Sequence, residues 1–200
     1  MSFMRHSKYS NVFRQAFTLI ELLVVIAIFA VLTTFLLANF RVGKERSALR
    51  DAATLIVSDI QRLQLLALSG DTRTPGAVAY GIHFDAINHK SSYILFADQT
   101  SVGEGNAAMS PNGRYDFGEE LPDGTVNLPT DVVIAAVDLS DSPSDSVDVL
   151  FRSPRGDVVV SSSLATMPLA TIVHVALRHR SGGDDRILTI NGISGQVNVR

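Results

Sequence analysis

Two hundred residues at 46% hydrophobic and 18% charged content lie in the ordinary folded range and suffice for one modest domain with an appendage. With no cysteine, the chain can build no disulfide framework, thiolate metal site or thiol nucleophile, so its stability has to come from packing. Charge is unevenly divided. Residues 1–16 hold Arg5, Lys8 and Arg14 and no acid, whereas 71–200 hold 9 Lys+Arg against 16 Asp+Glu, a formal −7 that argues against a nucleic-acid partner held by phosphate neutralisation.

Residues 17–40 form a 24-residue apolar stretch whose one charged residue is Glu21. As a helix it runs about 36 Å, enough to cross a hydrocarbon core of about 30 Å, and the expectation is a transmembrane helix. A secretory signal needs a shorter apolar region and a small-residue cleavage site after it, whereas this run is long and followed by Arg41. A plain anchor does not explain Glu21, since a carboxylate within a span costs on the order of 3 kcal/mol, although a place near one end lets it reach toward the interface.

Arg14-Gln15-Ala16 followed by FTLIELLVVIAI resembles the processing and methylation motif of type IV prepilins and type II secretion pseudopilins. The resemblance implies that a membrane-embedded prepilin peptidase cuts between Ala16 and Phe17 on the cytoplasmic side and methylates the new amine of Phe17. Ala16 stands where the family usually has glycine. Glu21 then becomes the fifth residue of the mature chain, where the family uses its carboxylate to meet the N-terminal amine of a neighbouring subunit during assembly. A buried carboxylate facing a cation is far better placed than an unpaired one, so such a pairing can select register in a medium that discriminates little between helices. Basic residues flank the span on both sides, with Arg41, Lys44, Arg46 and Arg50 after it, so orientation also comes from the resemblance: leader cytoplasmic, body extracytoplasmic.

Beyond the span, Leu49, Ala52, Ile56, Ile60, Leu63 and Leu66 recur at steps of three and four, while Arg50, Asp51, Asp59 and Arg62 lie off that stripe. The pattern predicts an amphipathic continuation over 41–70, ending near Ser69-Gly70 with Thr74-Pro75-Gly76 as a stop, and Gly43 as its weak point. Short valine-, isoleucine- and aromatic-rich runs at 78–84, 92–97, 132–137, 147–151, 157–161, 171–177, 186–190 and 196–199 read as strands. Residues 88–91, 153–156 and 191–195 read as hairpin connections, and 99–130 and 140–146 as loops. The fold class expected is α+β: a long N-terminal helix packed on an antiparallel β head, the lollipop that the resemblance also implies. The domains expected are a leader at 1–16, a transmembrane helix at 17–40, its amphipathic continuation at 41–70 and an extracytoplasmic head at 71–200. The closing segment 190–199 is similar to the glycine-containing hairpin of minor pseudopilins of the H type, with Gln196 and Asn198 where that strand often carries arginine.

Catalytic signatures are missing: no P-loop, dinucleotide fingerprint, HExxH or GxSxG occurs, and Gly192-Ile193-Ser194-Gly195 has the spacing of a turn. His83, His89, His174 and His179 are scattered, and the last two face opposite sides of one expected strand. Asp98, Glu104, Asn106, Asp116, Glu119, Glu120 and Asp123 could offer oxygen donors to calcium, but they lack EF-hand spacing and read as a solvated acidic loop. Arg178, His179 and Arg180 form a small basic knot blunted by Asp184 and Asp185.

The expectation is therefore a non-enzymatic subunit without cofactor or metal, a minor one on the hairpin likeness. It would be a single-pass inner-membrane protein whose partners are prepilin peptidase, other pilin or pseudopilin subunits, an inner-membrane assembly platform and membrane lipid. The alternative is a membrane-anchored extracytoplasmic ligand-binding domain that never polymerises.

Overall fold

The structure, a computed structural model, describes residues 18–70, 74, 76–99, 111–140, 142–162, 166–167, 172–183 and 185–200. Within them one helix, α1 (Leu19–Ser69), precedes β1 (Ala77–Asp85), β2 (Ser92–Gln99), β3 (Glu120–Asn127), β4 (Val132–Leu139), β5 (Ser142–Ser144), β6 (Ser146–Arg152), β7 (Asp157–Ser162), β8 (Thr166–Met167), β9 (Ile172–His179), β10 (Arg186–Asn191) and β11 (Val197–Val199). The chain divides into two compact units, Met1–Gly43 and Lys44–Arg200.

In the first unit, Leu19–Leu36 has a mean hydropathy of 2.7 and none of it is buried. Its only hydroxyls beyond the first turn are satisfied within the helix: Thr33 Oγ1 donates to the Phe29 carbonyl at 2.7 Å and Thr34 Oγ1 to that of Ala30 at 2.8 Å. Such bonds leave neither hydroxyl unpaired on a surface suited to lipid.

The second unit is an α+β domain of two antiparallel sheets, ordered β3-β2-β1-β6-β7-β8 and β11-β10-β9-β4-β5, with α1 residues contributing to its core. Leu49, Ala52, Ala53, Ile56, Ile60, Leu63 and Ala67 are the buried stripe of α1, spaced by the 3.6-residue period. Ala67 is fully buried where the periodicity pointed to Leu66, which is half-buried at the stripe's edge. Against the stripe pack alternate residues of the strands, among them Tyr80, Ile82 and Phe84 of β1, Val149 and Phe151 of β6, and Val173, Val175 and Leu177 of β9. Polar links fasten α1 to the strands and their turns: Ser181 Oγ donates to Glu45 Oε1 at 2.7 Å, Tyr93 Oη to Asp59 Oδ2 at 2.6 Å, and Gln64 Nε2 to the Gly195 carbonyl at 2.9 Å.

β4, β9 and β10 alternate between buried and half-exposed positions, as strands with one covered face do, whereas β2 and β6 are buried almost throughout. The reason is a second, smaller cluster on the other face of their sheet, where Ala79, Phe96 and Leu150 are covered by Tyr115 and Val159.

The eight strands expected from composition are present, joined as expected at 88–91, 153–156 and 191–195. In the first of these turns Asp85 Oδ1 accepts the Ile87 and Asn88 amides at 2.7 and 2.8 Å. Three strands were hidden. β3 lies inside 99–130, β5 inside 140–146, and β8 is two residues long. β3 carries Pro122, Asp123 and Gly124, which read as a turn, yet it is the edge strand beside β2, where a proline needs no ladder partner. Its register slips between Ile94 and Phe96, and there a Cβ on Gly124 would lie 2.3 Å from the Leu95 carbonyl oxygen. Only glycine fits that approach.

Gly195 is another glycine that the packing demands. Its φ is +68°, and a Cβ there would stand 2.5 Å from Gln64 Nε2 and 2.8 Å from the Phe151 ring. Gly195→Ala is expected to destabilise the domain by about 2–3 kcal/mol, from left-handed backbone strain plus the displaced ring. Urea unfolding followed through tyrosine near-UV dichroism of the detergent-solubilised chain reads it. A midpoint unchanged from wild type would mean that the β10–β11 turn is not anchored against α1.

Candidate functional site: the start of the apolar helix

Thr18 caps α1. Its Oγ1 and carbonyl accept the Glu21 amide at 3.3 and 3.1 Å, and its carbonyl also accepts the Leu22 amide at 3.2 Å. Thr18-Leu19-Ile20-Glu21 thus has the Thr-x-x-Glu spacing of a capping box, a signal legible in the sequence but not drawn from it above. Glu21 is consequently the third helical residue, where a carboxylate is favoured by the partial positive charge of the helix N-terminus. Its side chain is exposed, between Ile20 at 69% and Leu22 at 58%, and has no ion-pair partner among the described residues. Ala16 and Phe17, the expected cleavage and methylation site, lie outside the described residues, as do Arg5, Lys8, Arg14 and Gln15.

A cap, a first-turn carboxylate and a bare apolar helix over Leu19–Leu36 therefore follow directly on Phe17. The prokaryotic N-terminal methylation motif matches residues 13–37 of the chain. In this the N terminus is similar to that of type IV pilin-like proteins. Comparison with curated proteins and with solved structures finds no match. The motif at 13–37 and the apolar stretch Leu19–Leu36 overlap.

Among the described acidic residues of the long loop and its flanks, Asp98, Glu119 and Glu120 hold backbone amides. Asp98 Oδ2 accepts the Gly113 amide at 2.9 Å, Glu119 accepts those of Asp116 and Gln99 at 3.1 and 3.3 Å, and Glu120 that of Gly118 at 3.1 Å. Among the described residues no group of three or more His, Asp or Glu is placed to hold a metal ion; Glu104 and Asn106 lie outside them. The basic knot is divided as well. Arg178 makes a bidentate pair with Asp185, both contacts 2.6 Å, which holds that carboxyl below its usual range, and His179 Nδ1 sits 2.7 Å from Ser181 Oγ. Asp184 lies outside the described residues. His83 Nδ1 lies 2.6 Å from Asp148 Oδ1, a pairing across β1 and β6 that spacing alone did not reveal, and its ring packs at a tilt against Tyr115.

Burial pushes the Asp98 and Glu119 carboxyls up, with Asp116 adding to both, against the amides that they accept. A carboxyl whose folded pKa lies above its unfolded value contributes stability that is fully present below about pH 3.9 and is lost as pH rises through the folded value. Asp98→Asn keeps an acceptor for the Gly113 amide and removes the charge. The variant is expected to have the higher urea midpoint at pH 7, with the gap closing toward pH 4. A gap of constant size across that range would exclude ionisation as its cause.

Proposed function

We propose that this chain is a non-enzymatic structural subunit of a type IV pilus or a type II secretion-like pseudopilus, processed at Ala16/Phe17 and assembled through α1. The observation that carries the reading is the coincidence of the methylation motif at 13–37 with an unburied apolar helix whose first turn holds Glu21. Before assembly the helix stores the subunit in the inner membrane as a single span, head outside. Afterwards the same surface packs against neighbouring helices. Glu21 meets the methylated amine of Phe17 of the next subunit, a pairing favoured because a carboxylate in an apolar filament core is strongly destabilising without a cation. Its partners are prepilin peptidase, other pilin-type subunits and the assembly platform. The closing β10–β11 hairpin supports a minor role by its likeness to H-type pseudopilins.

The test is intact-mass and N-terminal analysis of the protein from membranes, with and without co-expressed prepilin peptidase. The expected product begins at methylated Phe17 and appears only with active peptidase. A chain that persists from Met1 in its presence would sink the reading and favour an anchored binding domain.

A further inference from the structure

Arg50, Ala53, Thr54 and Val57 stand at steps of three and four on α1 and so share one face of the helix. With Arg186 of β10 and Val199 of β11 they line a hollow of about 290 Å³ within the second unit. Arg186 shares its strand face with Leu188 and Ile190, both fully buried, so its side chain sets out toward the core. Its Nε is buried with no hydrogen-bond acceptor.

Two guanidinium groups therefore line one hollow, and no carboxylate lines it with them. Neither arginine makes an ion pair among the described residues, although residues 71–200 carry a formal −7 from 9 Lys+Arg against 16 Asp+Glu. Neighbouring cations repel, and a buried N–H without an acceptor is costly; one bound anion relieves both. The guanidinium fork matches the paired oxygens of a phosphate. A phosphomonoester carries about −1.5 to −2 at pH 7, enough to answer two cations where a carboxylate answers one. The hollow exceeds the roughly 150 Å³ that already admits benzene, so part of an organic ester fits beside the phosphate, against Ala53, Val57 and Val199.

We propose that Arg50 and Arg186 hold a phosphomonoester in this hollow. Binding there does not depend on polymerisation through α1.

The experiment titrates inorganic phosphate into the detergent-solubilised intact chain by calorimetry at low ionic strength. A single site is expected, with affinity falling about tenfold in Arg50→Gln and in Arg186→Gln, the size of one charge-assisted hydrogen bond, and unchanged in Arg155→Gln, which lies outside the hollow. Arg50 is exposed, so its variant decides the matter even where Arg186→Gln fails to fold. Native mass spectrometry from micelles doped equally with phosphatidate and phosphatidylcholine separates the sources. Phosphatidate retained by the wild type and lost in Arg50→Gln assigns a lipid headgroup; phosphate binding without that retention assigns a soluble phosphomonoester. Binding of neither overturns the proposal. Binding equal in the wild type and all three variants means an adventitious ion only, and overturns it as well.

Discussion

Glu21→Ala is expected to leave cleavage between Ala16 and Phe17 intact and to deplete the mature chain from the sheared filament fraction by on the order of 100-fold. The size follows from breaking one partner of a buried ion pair, about 3 kcal/mol, at about 1.4 kcal/mol per tenfold change. Glu21 is solvent-facing on the isolated helix, so its loss strands no group within the subunit. The expected defect appears only when helices pack. Glu21→Gln separates charge from hydrogen bonding: it keeps a polar group in the first turn of α1 but offers the amine no countercharge, and it is expected to fall with alanine. Quantifying processed chain in membrane and filament fractions checks both. Filament yields equal to wild type for both variants would show that register is set elsewhere along α1.

Ile60→Ala is expected to cost the head about 3 kcal/mol, a large share of the roughly 5–15 kcal/mol that holds a domain of this kind. Ile60 is fully buried in the middle of the α1 stripe, in the cluster that joins the helix to the inner faces of both sheets. The loss combines the transfer energy of the deleted carbons with a cavity that rigid strands on two sides cannot close. Leu65→Ala, one turn further on at 67% exposure, is expected to stay within about 0.5 kcal/mol. Urea midpoints of the two variants, with m-values to check that the transition is unchanged, measure the contrast. Equal midpoints would mean that α1 is not part of the head's cooperative unit.

The helix and the methylation motif at its start were legible because both rest on local signals. An apolar run of membrane length, a three-and-four stripe from Leu49 to Leu63, and a motif around Ala16, Phe17 and Glu21 can each be read without knowing what they touch. The eight strands rich in β-branched residues and their turns were legible for the same reason.

What the sequence by itself determined was therefore the α+β class, the apolar span, the amphipathic helix beyond it, and the methylation motif at the helix start. Only the tertiary structure decided that β3 is a strand, because Pro122 and Gly124 obey the demands of an edge and of the Leu95 carbonyl, not their own turn propensity. It also decided that Asp98, Glu119 and Glu120 hold amides of one braced turn, and that Phe117 is left bare at its tip. Periodicity reports which face of an element is apolar. Which two distant elements meet, and what the meeting leaves exposed, depends on contacts between residues far apart in the chain, such as Gly113 with Ser161, that no local pattern encodes.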